Sequence, residues 1–599
     1  MSHTFHIPVL GLAYSIDSPI KVAPLAISST ISIVDDIAIE RIRTYYHQKY
    51  NFPFTPISNK EDDARAKRIT AYLNLVQILV DLEFEEIKAQ DFGSDNQLTT
   101  YFSLLPASSL LKKDYQEMLA ENNGPQKLLL QKQLKKNMVK GAIDVNIMSK
   151  VDKMNVDANG ELKTEIFSDA LAALRGFANS NLNSSVVLSA GMNPRLYSYL
   201  ETFTDFLPNK TGQLNKKVIL KVSDFRSAFI QAKFLAKKSI WISEFRIESG
   251  LNCGGHAFAT EGYLLGPILE EFKQNKTDML NELFTMYQNA LTLKGIEITN
   301  TPQQKITVQG GIGTAEEDQF LTQHYQLDGT GWGSPFLLVP QVTAVDDQTM
   351  EEMATATARD YHISTASPLG IPFNNFTKSS SERQRQQRIA AGKPGNPCTK
   401  KFLVSNTEFT TKPICTASSK YQNLKIKQLQ NLNLSAKDFK KQSEQITSKI
   451  CLCEGLVNSF YIKNEILNPK ENTAVAICPG PNLAFFNKIY SLSEMVNHIY
   501  GNQNLLKGIN RPHIFINELK LYINYLQTDI KNSINQIDKK KEKYLNNFSN
   551  QLQVGINYYK NLFNNSQIVP AEALKNINKD LINLENKLIN IFQKKLNTV

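Results

Sequence analysis

The chain has 599 residues, 42% hydrophobic, 9% aromatic and 21% charged, and 67 Lys and Arg against 57 Asp and Glu leave a net charge of +10. That length corresponds to roughly two to four domains with material for a full core, and the composition excludes collagen, wholesale disorder and a disulfide-stapled miniprotein. No run of about 18 apolar residues is present, so no membrane span is expected. Met1–Val9 lacks the charged start and apolar stretch of a signal peptide, and six cysteines without an export signal point to a reducing cytoplasm. The charge is local. Between Phe376 and Ile450 fifteen Lys and Arg face four Asp and Glu, a net +11, which leaves the rest of the chain at −1.

Short β-rich runs separated by helix-compatible stretches occupy Ile20 to about Phe336. The runs are Ile20–Pro24, Thr30–Val34, Ile143–Met148, Ser185–Ser189, Val218–Val222, Ile240–Glu244, Ile306–Gln309 and Asp328–Gly333. Most are near-continuous apolar strings, the pattern of parallel strands buried on both faces. Eight of them with helices between predict an α/β fold, a (β/α)8 TIM barrel, with an open doubly wound sheet as the alternative. About a hundred residues separate Val34 from Ile143, far more than one crossover needs. Asp63–Lys88 and Ser108–Lys140 read as helices there, so residues 38–140 form a large helical insertion after strand two, near the barrel rim. The first region, 1–376, ends in a tail with a helix, Asp347–Arg359, and a Pro/Asn-rich loop, Ser367–Asn375. Residues 377–490 form a basic, cysteine-containing module that opens on the polar stretch Lys378–Pro397, with Arg383, Arg385 and Arg388, a linker or flexible loop. Residues 491–599 are α-helical, with Ile514–Gln551 and Ala571–Leu596 paired as a hairpin and Lys539-Lys540-Lys541 a solvated face.

Three segments carry candidate chemistry. Ser239–His256 runs from the sixth strand into Cys253-Gly254-Gly255-His256, at the strand end where barrels place catalysis. Gly254 and Gly255 let a planar ligand approach the backbone, and His256 beside it suits proton transfer near neutrality. A His hydrogen-bonded to backbone in a tight loop is the plainer reading, and the Gly-Gly context at a strand end weighs against it. Ile306-Thr-Val-Gln-Gly310-Gly311-Ile-Gly313-Thr-Ala315 and Asp328-Gly-Thr-Gly-Trp-Gly333-Ser334 then place paired glycine turns after strands seven and eight. Exposed backbone N–H groups and a helix start at such turns grip phosphate. In the second module Cys398, Cys415, Cys451, Cys453 and Cys478 follow the spacings C-x16-C, C-x35-C, C-x-C and C-x24-C. Four thiolates can hold an iron–sulfur cluster or a structural zinc, and buried free thiols are the alternative. The signatures G-x-x-x-x-G-K-[ST], H-E-x-x-H and G-x-S-x-G are missing, which argues against nucleotide-triphosphate hydrolysis, zinc proteolysis and serine hydrolysis.

Together the Gly254-Gly255-His256 loop, Val222-Ser-Asp-Phe-Arg-Ser-Ala228, Gly310-Gly-Ile-Gly-Thr314 and Gly331-Trp-Gly-Ser334 resemble the nitronate monooxygenases and flavin-dependent enoyl-acyl-carrier-protein reductases. The motif form is most similar to the enoyl-reductase subunit of polyunsaturated fatty acid synthases. The similarity spans roughly Ile7–Phe336, and the insertion and the last 260 or so residues have no counterpart in it. The resemblance implies an FMN-dependent oxidoreductase. Gly310, Gly311, Gly313, Gly333 and Ser334 would hold the cofactor phosphate, and His256 would face the flavin edge and move a proton. Lys21-Val-Ala23-Pro24 resembles the first strand, whose backbone passes under the flavin, so Ala23 and Pro24 join Gly254 and Gly255 as cofactor-binding residues. Cys253, where the family carries a small or acidic residue, is either a lowered-pKa thiol acting beside His256 or a small buried filler.

The expected substrate is a small molecule or an acyl thioester, NAD(P)H is a possible reductant, and an iron–sulfur centre would suit a flavoprotein by passing single electrons. The competing reading is a non-catalytic barrel subunit serving binding or assembly through its helical insert and C-terminal hairpin. The basic segment is either a solvated loop or a dock for an acidic partner, an acyl carrier or electron-transfer protein. No basic–aromatic recognition motif accompanies it, so nucleic acid is not an expected partner.

Overall fold

The computed structural model describes residues 3–93, 95–148, 152–157, 161–189, 191–256, 261–533, 538–564 and 571–596. Eight strands close into a barrel in chain order: β1 (Phe5–Ile7), β2 (Ser28–Ser32), β3 (Ile143–Ile147), β4 (Ser185–Leu188), β5 (Lys217–Val222), β6 (Ile242–Glu248), β7 (Lys305–Gln309) and β8 (Gly329–Gly331). Each pairs in parallel with the next, and β8 returns to β1 through Thr330 opposite Phe5 and Gly331 opposite His6. That last pairing makes the sheet a closed barrel, not an open one. β-Branched residues dominate β5, β7 and the inner part of β4, and they are buried as expected of strands covered on both faces.

The first strand differs from the sequence reading. Ile20–Pro24 is not a strand: Ser18–Val22 is a short helix and Ala23–Leu25 a 3-10 turn. Pro19 pre-sets the first helical turn, and Pro24 has no N–H to give a ladder. The true β1 is three residues long, too short to register as a periodic run. Ala23 and Pro24 precede β2, and the Ala23 carbonyl accepts from Gly141 N–H, 2.8 Å, just before β3. They stand where the strands begin, at the end of the barrel opposite the one that carries the glycine turns. β6 in turn extends beyond Glu244, bringing Arg246 into the barrel, where it pairs with Asp144 at 3.1 Å and Glu244 at 2.7 Å.

Between β2 and β3 lie the helices Asp36–Lys49, Ala64–Ala89, Gln97–Leu104, Leu110–Ala120 and Pro125–Lys136, so the helical insertion is real and more finely divided than expected. The long helix Ala64–Ala89 packs against Asp169–Ala178, the helix after β3. Gly176 permits the approach, since a Cβ there would stand 2.8 Å from the Ala66 carbonyl and from Ile69.

Beyond the barrel, Asp347–Ala354 is helical, ending five residues before the predicted Arg359, and an antiparallel hairpin follows, β9 (Tyr361–Ser364) with β10 (Phe373–Phe376). Lys378–Pro397 is not simply a linker. Ser380–Ala390 is a helix whose N-cap, Ser379, accepts from Glu382 N–H at 3.3 Å. Its polarity suggests a loop, yet Ser-x-x-Glu before Arg and Gln is a helix start. Among the described residues the C-terminal region holds the short helix Leu492–Ile499 and then three long ones, Ile514–Ser533, Lys539–Asn564 and Ala571–Leu596, in place of a two-helix hairpin. One apolar core runs from the barrel into them, through Leu519, Ile523, Phe548 and Tyr559. Among the described residues no helix is long and apolar enough to cross a membrane.

Candidate active site

The loop leaving β6 is built by parts of the chain far away in sequence. Gly250 N–H donates to the Tyr522 hydroxyl at 2.8 Å, so the first long C-terminal helix holds the loop's base. Gly254 and Gly255 have φ of +130° and +79°, the left-handed region that favours glycine. At Gly254 the approaching backbone is protein: it bridges to Pro479, and a Cβ would collide with the Cys478 carbonyl. Gly255 donates to that carbonyl at 3.0 Å and accepts from Asn374 N–H at 2.9 Å. Nothing lies within 4 Å of where a Gly255 Cβ would be, so the open face is there.

His256 is fixed from three sides. Its Nε2 is 2.7 Å from Ser367 Oγ, its ring meets the Phe373 ring edge-on at 5.3 Å, and its carbonyl accepts from Asn252 Nδ2 at 3.0 Å. Asn374 Nδ2 donates to Asn252 Oδ1 at 2.9 Å, closing the network. Burial lowers the His256 pKa to about 4, so the imidazole is neutral at pH 7. It opens on an apolar cavity of about 180 Å³ at the C-terminal mouth of the barrel, bounded also by Val9, Gly11, Ile147, Gly255 and Cys478. The wall from the β1 end is therefore Val9 to Leu12; Ala23 and Pro24 are not in it.

Cys253 is buried beside the turn after β8. Its side chain packs against Gly333, where a Cβ would stand 2.6 Å from Cys253 Cβ and 2.8 Å from its sulfur. Burial, with the Glu248 charge adding to it, pushes the thiol far above its ordinary range, the reverse of a lowered pKa.

The glycine turns after β7 and β8 meet as expected, but their donors are not all free. Gly310 N–H is used on the Gly331 carbonyl at 3.2 Å, and Gly313 N–H on Glu317 Oε2 at 2.9 Å. The Ser334 hydroxyl donates to the Cys253 carbonyl at 2.9 Å and accepts from Gly480 N–H at 2.7 Å. What remains is the backbone N–H of Gly311, Ile312, Gly333 and Ser334. All four residues are buried, and among the described residues these four N–H groups have no acceptor. Buried orphan donors are rare in native chains. Four on two adjacent strand ends are what an anion such as phosphate requires. Arg511 underpins the turn, bonding Glu317 at 2.6 Å, the Gly311 carbonyl at 2.6 Å and Asn482 Oδ1 at 2.9 Å. Burial alone would raise the Glu317 pKa, but the Arg511 charge outweighs it and the carboxylate stays ionised.

Ser367, Asn374, Asn482 and Arg511 were not legible as site residues. Each lies more than a hundred positions from the loop or turn it serves, and nothing local marks it. The five cysteines of the second module divide: Cys453 and Cys478 line the cavity, and Cys398, Cys415 and Cys451 do not. Among the described residues no group of three or more His, Cys, Asp and Glu is placed to hold a metal ion.

The chain is a (β/α)8-barrel protein with an apolar cavity at the C-terminal mouth. No protein-family model matches the chain, and no curated protein matches it in sequence. Solved structures do match. A point mutant of FabK from Thermotoga maritima has a TM-score of 0.30 and 10% identity over 64% of this chain and 79% of that one. The enoyl reductase domain of MlnA, from the macrolactin biosynthesis cluster of Bacillus amyloliquefaciens, has 0.30 and 14% over 72% and 87%. Nitroalkane oxidase from Streptomyces ansochromogenes has 0.29 and 9% over 64% and 84%. The closed barrel itself, seen directly, carries the fold assignment.

Proposed function

We propose that the protein is an FMN-dependent oxidoreductase acting on an activated carbon, in an enoyl thioester or a nitroalkane, with His256 moving the proton. The observation that carries this reading is the set of buried, acceptor-free N–H groups of Gly311, Ile312, Gly333 and Ser334 at the mouth of the barrel. These residues fit the phosphate end of the cofactor. Gly255 and the Val9–Leu12 segment, on the open apolar cavity, fit its flat ring. Bound there, FMN would supply hydride chemistry.

The chain supplies orientation, exclusion of water and proton transfer. The apolar lining keeps water from the reacting carbon, and the Asn252–Asn374 pair and Ser367 set the imidazole's position. Because burial holds His256 neutral at pH 7, it is ready to accept a proton from carbon beside an electron-withdrawing group. In the opposite direction it must first be charged, so reduction would be favoured by lower pH. The purified chain should show flavin absorbance bands and release FMN on acid treatment, and NADH or NADPH should bleach those bands if nicotinamide is the donor.

A further inference from the structure

Helix Leu265–Thr292, which follows the segment carrying His256, has 28 residues and no side-chain cap of its own. Its N-cap is Leu264, where a Ser, Thr, Asp or Asn would ordinarily accept from the first turn. The cap comes from 253 positions away. Leu265 N–H donates to Glu518 Oε2 at 2.8 Å. Gly266 N–H donates to the Tyr559 hydroxyl at 3.1 Å, and that hydroxyl donates to the same Glu518 oxygen at 3.1 Å.

Glu518 stands one turn before Tyr522 in helix Ile514–Ser533, so the two share a face. Tyr522 accepts from Gly250 N–H at 2.8 Å. One helix therefore grips the segment at Gly250 and again at Leu265, on either side of His256. Helix Lys539–Asn564 closes on the same stretch: a Cβ at Gly262 would collide with the Phe548 carbonyl, and one at Gly555 with the Leu264 side chain.

The capping group is a costly one. Glu518 is 0% exposed, and among the described residues its Oε1 has no partner. A buried carboxyl oxygen left unpaired destabilises the fold, and a Ser at position 264 would cap the helix without that cost. The imported acid makes the position of the loop depend on the C-terminal helices. We infer that Glu518 is a positioning residue for the proposed proton transfer: it caps helix Leu265–Thr292 from outside and, with Tyr522, holds both ends of the segment that carries His256. The role in proton transfer rests on the flavin reading; the clamp does not.

The clamp has a pH dependence of defined sign. Burial raises Glu518 from 4.5 to about 7, against the Leu265 N–H and the Ser249 and Tyr559 hydroxyls. Tyr559, the titratable group on it, is pushed well above its ordinary value by burial and stays protonated, and no charged side chain bears on Glu518. Released into water the carboxyl returns to its ordinary range, so ionisation favours the open loop. The clamp is complete below about pH 7 and opens up to about tenfold more readily with each pH unit above it.

Hydrogen exchange of the full-length protein over Gly250–His256, corrected for the intrinsic rate at each pH, tests this between pH 6 and pH 8.5. Opening should stay level to about pH 7 and then rise about tenfold per unit. Glu518→Gln, which keeps a carbonyl acceptor and cannot ionise, should stay level throughout, and Glu518→Ala should open more readily at every pH. A merely structural cap would leave the wild type and Glu518→Gln with parallel profiles, and that result would overturn the inference. The measurement needs neither FMN nor turnover. Parallel profiles in a protein that binds FMN would remove the clamp and leave the flavin reading standing. A rise with pH in a protein that binds no FMN would keep the clamp and remove its role in proton transfer.

Discussion

At the scale of single residues the proposed chemistry rests on one imidazole and four backbone donors. His256→Ala removes the proton carrier without touching the phosphate turn. Turnover should fall by about 10²-fold or more while FMN stays bound; measured kcat with flavin content checks both halves. Ser367→Ala acts through His256, so the loss should be smaller and accompanied by a displaced pH–rate profile. Gly311 has φ +78°, and a Cβ there would stand 2.9 Å from the Leu251 side chain. Gly311→Val should therefore release FMN on gel filtration while far-UV circular dichroism stays unchanged. The sequence reading found Gly311, Gly333 and Ser334 because glycine turns after strands are visible locally. It could not find Ile312, whose contribution is a backbone N–H that any residue carries, nor see that Gly310 and Gly313 direct theirs inward.

At the scale of elements, segments from outside the barrel build its mouth. The hairpin of β9 and β10 supplies Asn374 and Phe373, the Cys478–Asn482 segment covers Gly254 and Ser334, and the first long C-terminal helix anchors the β6 loop. The buried Arg511–Glu317 pair, 2.6 Å apart, and the Ile514 N–H donating to Glu317 Oε1 at 2.6 Å tie the start of that helix to the glycine turn after β7. Arg511→Met would strand the carboxylate in a dry site, at a cost of about 3–5 kcal/mol. Urea unfolding should show that loss, and adding Glu317→Gln should restore part of it. The basic segment changes meaning at this scale too. Arg383 pairs with Glu352 at 2.8 Å, Arg385 donates to the Thr447 carbonyl at 3.3 Å, and Arg388 bonds Ser419 Oγ at 3.3 Å. These three arginines fasten a helix to the body of the protein. Charge reversal there would loosen the fold and is no selective probe of an acidic partner.

At the scale of the whole molecule, seven of the eight barrel strands and the insertion were readable because buried parallel strands leave apolar strings. The three-residue β1 leaves none, and the Ile20–Pro24 string imitates it. How the C-terminal half folds back over the mouth depends on contacts such as Gly250–Tyr522, 272 residues apart, which no local pattern encodes.

The histidines give this packing a pH signature. Burial lowers His3, His256 and His513 from 6.5 to about 4, and burial with the Arg246 charge lowers His6 to about 3. Folded, they resist protonation; unfolded, they take a proton below pH 6.5. Their contribution is complete above pH 6.5 and is lost progressively as the pH falls toward 4. The thermal midpoint should therefore drop between pH 7 and pH 4.5, and a midpoint that rises over this interval would contradict the neutral, buried assignment.

The most direct test of the central claim is the cofactor content of the purified full-length chain. The account predicts a yellow protein that releases about one FMN per chain on acid treatment, or takes up FMN to that level when it is supplied. A colourless protein that binds no added FMN would contradict it and leave the barrel as a binding or assembly subunit.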